Sequence, residues 1–268
     1  MRRHLIIDNW KMNTNLADAT ILTNSVKNHI GDLDVDVILC PPSVWLYPMT
    51  EILEKSPSNL HLGAQNMYFS DSGAITGEIS PLMVKALANY VIVGHSERRK
   101  IFGETDEFIS DKIDAALKHN LKPIVCVGEI KKMEEERKGP GRPTKVDVRS
   151  DVLAQLRHAL SGVSRDDIEK VIIAYEPVWA ISKGTANSRH AATGAYAASV
   201  IEKLRNIIAD KYGEHIAQRI RILYGGSVDE DNIKEFIYQP EIDGVLIGGA
   251  SLKAKEFIKI CREAGGKD

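Results

Sequence analysis

Four polar side chains in the sequence have types and positions that suit proton-transfer chemistry. Asn9 and Lys11 follow the first predicted β-strand, His95 follows the fourth, and Glu176 ends the sixth. A carboxylate can remove a proton from carbon, an imidazole can donate to a carbonyl oxygen, and a fixed ammonium can stabilise developing negative charge. In a closed parallel barrel the carboxyl ends of the strands meet at one rim, which would bring the four side chains together.

Glycine-rich turns follow the last two predicted strands and suit an anion. They are Gly225-Gly226-Ser227, after the seventh strand, and Gly248-Gly249, after the eighth. Glycine permits close approach to the backbone, and N–H groups that open a helix attract negative charge. The backbone near Ser227 and at Gly248 and Gly249 is therefore a candidate phosphate site. Together with the four side chains it indicates proton transfer on a phosphorylated carbonyl compound.

Each of these residues also has an ordinary structural explanation. Taken alone, Lys11 is a surface cation, His95 a satisfied loop histidine and Glu176 a carboxylate at a strand end. The glycine pairs are equally compatible with tight turns. Their joint position on one predicted rim favours the chemical interpretation.

The elements that would position these residues alternate along the chain. Short β-branched runs are each followed by a turn and by a segment of helical periodicity, such as 107–119 and 152–160. Several runs are apolar at every residue, as expected for parallel strands covered on both faces. Eight strand–helix units favour an α/β fold, a single (β/α)₈ barrel, over an open doubly wound sheet. The predicted strands are Leu5 to Asn9, Val35 to Cys40, Leu60 to Ala64, Tyr90 to Gly94, Pro123 to Val127, Val171 to Tyr175, Arg221 to Tyr224 and Gly244 to Ile247.

The chain of 268 residues is expected to form one domain, 1–268, because no linker divides it. Its one low-complexity patch, Lys131 to Lys145, combines a charged run with glycine and proline. We predict a charged helical turn at 134–138 and then an exposed loop, inserted after the fifth strand. Gly139-x-Gly141 within it lacks a following glycine, so a dinucleotide site is not expected there.

Composition and charge narrow the classes of partner. The 35 Lys and Arg nearly balance the 37 Asp and Glu, so no global field favours nucleic acid or an anionic membrane. The apolar run at the start of the chain ends at Asp8, too short for a signal peptide, and no later run would span a bilayer. Cys40, Cys126 and Cys261 show no disulfide or zinc spacing, and buried structural roles are expected. These features predict a cytoplasmic protein without a metal site.

At the residues named above, the chain resembles the triosephosphate isomerase family. The likeness runs in collinear order from Leu5 to Leu252 and implies a TIM barrel enzyme that needs no cofactor. The strings that carry it are Asn9-Trp10-Lys11-Met12-Asn13, Gly63-Ala64-Gln65-Asn66, Val93-Gly94-His95-Ser96-Glu97-Arg98-Arg99, Ala174-Tyr175-Glu176-Pro177-Val178-Trp179-Ala180, Tyr224-Gly225-Gly226-Ser227-Val228 and Ile247-Gly248-Gly249-Ala250-Ser251.

The resemblance implies interconversion of dihydroxyacetone phosphate and glyceraldehyde 3-phosphate, a step of glycolysis and gluconeogenesis. Glu176 would be the base that moves a proton between neighbouring carbons of an enediolate, and His95 the electrophile. Lys11 matches the family's catalytic ammonium, with Asn9 as its companion in substrate binding. Glu97 would support Lys11 through an ion pair, although a structural pair of Glu97 with a nearby arginine stays open.

The residues after Trp179 resemble the family's mobile lid, which closes over substrate and excludes water. The family usually reads Ala-Ile-Gly-Thr-Gly-Lys-Thr-Ala there, whereas this chain reads Ala180-Ile181-Ser182-Lys183-Gly184-Thr185-Ala186, one residue shorter. Ser182 replaces the glycine whose N–H meets the phosphate. A serine N–H can make the same bond if its backbone angles are ordinary. We expect Ser182 to bind phosphate and the kinetics of the lid to differ from the family's.

The segment Gln65 to Ile79 resembles the long third loop that, in the family, enters a neighbouring subunit, with Thr76 at the tip. A polar loop of this length on a compact domain is uncommon without a role. The resemblance therefore predicts a homodimer with Thr76 at the interface.

Two other functions stay open on the residues alone. Another phosphosugar barrel enzyme, an epimerase or an aldolase with Lys11 as Schiff-base nucleophile, would share much of this site. A barrel that binds without catalysis would keep the scaffold, and Ser182 and the shortened lid would then reflect loss of the catalytic lid. The position of Lys11 beside a base favours electrostatic help over imine formation, and the intact set of polar groups favours catalysis. A serine hydrolase is not expected, because Gly225-Gly226-Ser227-Val228-Asp229 lacks the second glycine of a nucleophile elbow.

Overall fold

Eight parallel strands close into a barrel in which each strand pairs with its neighbours in chain order. The computed structural model describes residues 2–129, 135–136, 145–146, 150–181 and 192–266. The barrel closes where the first strand pairs with the last, with Leu5 opposite Gly244 and Asp8 opposite Ile247. The strands are β1 His4–Asn9, β2 Val35–Cys40, β3 Leu60–Ala64, β4 Tyr90–Val93, β5 Lys122–Val127, β6 Ile172–Tyr175, β7 Ile222–Tyr224 and β8 Gly244–Ile247. The predicted barrel is confirmed.

Helices lie between the strands and cover the outside of the barrel. The two helical segments predicted from periodicity are α5 and α6, each displaced by one or two residues from the predicted bounds. The described helices are α1 Leu16–Ile30, α2 Leu46–Leu53, α3 Pro81–Lys85, α4 Ser96–Phe102, α5 Asp106–Lys118, α6 Ser150–Ala159, α7 Gly194–Tyr212, α8 Glu214–Ala217, α9 Ile233–Ile237 and α10 Ala254–Ala264. Single turns of 3₁₀ helix at Val178–Ala180 and Gly249–Leu252 follow β6 and β8.

The insertion after β5 differs from its prediction. Glu135–Glu136 and Lys145–Val146 form a short antiparallel pair, so the helical turn predicted at 134–138 is wrong. In this antiparallel pair, backbone groups on one side of the insertion find their partners on the other side. The charge composition of the segment does not reveal such pairing. The rest of the patch lies outside the described residues.

Two apolar layers follow from the alternation of side chains along the strands. One layer fills the inside of the barrel and the other packs the outer faces of the strands against the helices. The three cysteines are buried and unbridged, in agreement with the structural role expected of them. Among the described residues, no helix combines the length and apolar character that crossing a bilayer requires. The inside layer contains Leu5, Ile7, Ile38, Cys40, Tyr90, Ile92, Ile124, Cys126, Ile172, Ala174, Leu223 and Leu246.

A buried carboxyl group lies on β1 directly before the candidate site residue Asn9. Asp8 is fully buried, and its two oxygens accept from the backbone N–H of Cys40 at 2.6 Å and from the indole N–H of Trp10 at 2.7 Å. Asp8 thus ties β1 to the end of β2 and to the loop that follows β1. Burial raises the pKa of Asp8 to about 8, although both hydrogen bonds lower it.

We predict that Asp8 makes the free energy of unfolding depend on pH. A carboxyl group whose pKa is higher in the folded than in the unfolded chain binds a proton on folding, so stability falls as pH rises between the two values. Asp8→Asn removes this dependence. The stability of the wild type relative to Asp8→Asn should therefore fall between about pH 5.5 and about pH 7.5, by at most about 1.4 kcal/mol per pH unit. Urea titrations at several pH values measure it, and a difference that is constant or rises with pH contradicts a raised pKa.

Candidate active site

His95 lies at the carboxyl end of β4, where it caps the first turn of α4. Gly94 precedes it with a φ of 74°, a left-handed conformation that glycine adopts without strain. The ring Nδ1 accepts from the backbone N–H of Glu97 at 3.2 Å, so Nδ1 is unprotonated and the ring proton is on Nε2. The side chain is buried, and its Nε2 lies near the Glu176 carboxylate. His95 is therefore oriented as a neutral donor through Nε2.

Glu176 follows β6 and is held beside His95. Its Oε1 lies 3.4 Å from His95 Nε2, and its Oε2 accepts from the backbone N–H of Ser96 at 3.2 Å. Only 2% of Glu176 is exposed. The two residues predicted to act as base and electrophile, 81 positions apart in sequence, are thus in direct reach of one another.

Lys11 and Glu97 form an ion pair at the same rim. Lys11 Nζ lies 2.6 Å from Glu97 Oε1, as the resemblance predicted. Burial raises the pKa of Glu97, but the hydrogen bond and charge of Lys11, with a smaller contribution from His95, together lower it by more, and the net pKa is below the usual value. Asn9 is buried, and its side-chain oxygen accepts from the Lys11 backbone N–H at 3.0 Å. Asn9, Lys11, His95 and Glu97 line one cavity of about 370 Å³.

The loop that carries Lys11 has a strained backbone. Lys11 has a φ of 52°, a left-handed conformation that is uncommon for residues other than glycine. Hydrogen bonds hold the loop in place: Gln65 Nε2 donates to the carbonyls of Lys11 at 3.0 Å and Cys40 at 2.9 Å, and Asn13 donates to the Trp10 carbonyl. The strain is therefore balanced by contacts with neighbouring loops, as is common at functional sites.

The two glycine-rich turns lie near different site residues. At Gly225 an added Cβ would lie 2.7 Å from Glu176 Cγ, and at Gly248 it would lie 3.4 Å from Lys11 Cε. Among the described residues, nothing lies within 4 Å of a Cβ built at Gly249. The N–H of Ser227 is already engaged, because it donates to the Ala180 carbonyl at 3.2 Å. Ser227 is therefore at the predicted rim with its N–H directed to the turn after β6, and Ser182 lies outside the described residues.

Three contacts of the site were not anticipated from the sequence. The Ser96 N–H is a backbone group that no motif of side chains reveals. The Cys126 thiol lies inside the barrel and lines one cavity with Glu176; burial raises its pKa well above the usual range, and the Glu176 carboxylate raises it further. Glu129 is fully buried and accepts from the Tyr175 hydroxyl at 2.8 Å and the Trp179 indole at 2.6 Å.

The loop of residues 65–79 begins beside the site and extends into solvent. Two contacts bind the loop to the neighbouring helix. Asn66 Oδ1 accepts from Lys112 Nζ on α5 at 2.8 Å, and Asp71 Oδ1 lies 2.7 Å from Nε2 of His119, the residue after α5. Thr76 is exposed near the tip, followed by Gly77 with a φ of 95°. A search of the described residues finds no group of three metal-ligating side chains.

Comparison with known proteins points to one family. A family model described as Triosephosphate isomerase matches residues 4–264. The chain is 48% identical over 265 residues to a protein named triosephosphate isomerase from Dehalococcoides mccartyi strain CBDB1, covering 98% of this chain and 97% of that protein. It is 47% identical over 261 residues to the protein of that name from Caldanaerobacter subterraneus subsp. tengcongensis, with 97% and 99% coverage. The corresponding protein of Dictyoglomus turgidum is 44% identical over 264 residues, with 98% and 100% coverage.

Proposed function

The chain belongs to the triosephosphate isomerase family, and we propose that it interconverts dihydroxyacetone phosphate and glyceraldehyde 3-phosphate, as in glycolysis and gluconeogenesis. The observation that carries the proposal is the distance of 3.4 Å between Glu176 Oε1 and His95 Nε2 at the barrel rim. A base and a donor at this separation can act on adjacent carbon and oxygen atoms of one small substrate.

The reaction transfers one proton between neighbouring carbons. Glu176 takes a proton from the carbon next to the carbonyl, and the C–H electron pair becomes the carbon–carbon double bond of an enediolate. The carbonyl π electrons move to oxygen, where the Nε2–H of His95 stabilises the charge. The hydroxyl proton passes from one enediolate oxygen to the other through Nε2 of His95, so that the former hydroxyl oxygen becomes the new carbonyl oxygen. Return of the carbon-bound proton from Glu176 to the other carbon completes the isomerisation. Because no electrons leave the substrate, the proposed chemistry requires no redox cofactor.

Lys11 is proposed to stabilise the charge of the enediolate and its phosphate as an ammonium. Its ion pair with Glu97 supports this electrostatic role over imine formation, which requires a neutral amine. Asn9 orients the loop through the Lys11 N–H and faces the same cavity. We propose that Gly248, Gly249, Ser227 and Ser182 bind the phosphate through backbone N–H groups. For Ser227 this requires release of its bond to Ala180.

Glu176→Gln tests the proposal directly. The amide keeps the size of the side chain but cannot take a proton from carbon, so kcat should fall by roughly 10²- to 10⁴-fold or more. A coupled assay with glyceraldehyde 3-phosphate measures the rate, and circular dichroism checks the fold. Glu202→Gln, at an exposed position on α7, is the matched control and should leave the rate unchanged. A Glu176→Gln variant with the rate of the wild type would refute the mechanism.

We also propose that the protein is a cytoplasmic homodimer whose 65–79 loop, with Thr76, enters the partner. Large apolar side chains on the same side of the barrel support an interface: Met12 is 98% exposed and Phe102 is 65% exposed, and both line the cavity beside Lys11. Exposed apolar groups that surround a cavity commonly mark a protein interface.

Thr76→Arg should weaken this dimer, because it buries a charge against the partner without a designed counterion. Size-exclusion chromatography with light scattering should show twice the chain mass of 29.7 kDa for the wild type and a shift toward 29.7 kDa for the variant. Asn206→Arg, exposed on α7, carries the same added charge and should remain dimeric. A wild type that is monomeric at assay concentration and fully active would contradict the proposed assembly.

A further inference from the structure

The loops after β5 and β6 are joined at the point where the proposed base leaves the barrel. The Glu176 N–H donates to the Val127 carbonyl at 2.8 Å, and the Val178 N–H donates to the Glu129 carbonyl at 3.0 Å. These two hydrogen bonds flank Gly128, the first residue after β5. The backbone of Glu176 is therefore located by the backbone of residues 127–129.

Gly128 lies in direct contact with the backbone of Glu176. A Cβ built on Gly128 would be 1.8 Å from the Glu176 carbonyl oxygen and 2.5 Å from its carbonyl carbon. No side chain fits at that distance, so only glycine allows the two chains to pack this closely. A displacement of Gly128 is consequently transmitted to Glu176 by contact as well as through the hydrogen bonds beside it.

Gln155 of α6 binds both polar backbone groups of Gly128. Its Oε1 accepts from the Gly128 N–H at 2.9 Å, and its Nε2 donates to the Gly128 carbonyl at 3.3 Å. One side-chain amide thus supplies the two partners that Gly128 needs where the strand pairing of β5 ends. Val152 and Leu156, on either side of Gln155 along the helix, are fully buried, so the amide projects from an anchored element.

Gln155 also shares a cavity with the proposed base. It lines a cavity of about 320 Å³ whose wall includes Cys126, Ser96 and Glu176. Ser96 donates its backbone N–H to the Glu176 carboxylate within this group. Gln155 therefore shares a cavity with the base and binds Gly128, which packs against the backbone of Glu176.

We propose that Gln155 is a positioning residue for the base: its amide fixes Gly128 and, through Gly128, sets where the Glu176 carboxylate meets the substrate carbon. The inference rests on the proposed function of Glu176. A misplacement of a catalytic group on the order of 1 Å can lower a rate about 10²-fold. Loss of the amide should therefore reduce kcat and leave KM nearly unchanged, because Glu176 contributes to the proton transfer more than to binding.

Two variants test the inference together. Gln155→Leu has a similar size but neither hydrogen bond, and kcat should fall about 10- to 100-fold with KM within about threefold of the wild type. In Gln155→Glu, an ionised carboxylate can accept from the Gly128 N–H but repels the Gly128 carbonyl, whereas the protonated acid satisfies both groups. Its kcat relative to the wild type at the same pH should therefore recover as pH is lowered toward about 5.5.

The controls separate positioning from folding and from the proposed function. Gln218→Leu changes an exposed glutamine in the loop before β7 and should retain the kcat of the wild type. Urea titration of Gln155→Leu confirms that the assayed protein is folded. A Gln155→Leu variant with unchanged kcat, or a Gln155→Glu variant without relative recovery at low pH, would overturn the inference while Glu176→Gln remains inactive. Full activity of Glu176→Gln would instead reject the proposed function itself.

Discussion

Parallel pairing of the first strand with the last is the constraint on which the site depends. The pairing of β1 with β8 closes the sheet into a barrel, so residues near the two ends of the sequence become neighbours. Lys11 and Gly248, 237 positions apart, illustrate the result: a Cβ built on Gly248 would lie 3.4 Å from Lys11 Cε. In an open sheet the same two turns would lie at opposite edges and would not meet.

The first turn of α4 then orients both reacting side chains. Its N–H groups at Ser96 and Glu97 bind the Glu176 carboxylate and His95 Nδ1, respectively. One helix terminus thereby selects the neutral ring tautomer of the histidine and holds the carboxylate beside it. Backbone donors are suited to this task because the helix fixes their direction before any ligand arrives. The relative geometry of base and donor is set by a single short element.

The strands and the main polar groups could be predicted because they depend on local patterns. Apolar runs specify buried parallel strands, and residues just past strand ends specify the rim, which located His95, Glu176 and Lys11. The remaining contacts depend on where distant elements meet. Neither the hydrogen bonds from Gln155 to Gly128 nor the bond from Ser227 to Ala180 leaves a pattern along the chain. The helical turn predicted in the insertion after β5 is wrong because a charged run of this kind is compatible with both a helical turn and a strand pair.

The left-handed backbone at Lys11 has a consequence for how this position can evolve. Glycine would relieve the strain at a φ of 52°, but it would remove the ammonium that faces the cavity. Selection for resistance to heat and selection for turnover therefore favour different residues at the same position. The loop retains lysine at some expense of stability, and mutations that strengthen the rest of the barrel are the compatible route to a more thermostable enzyme.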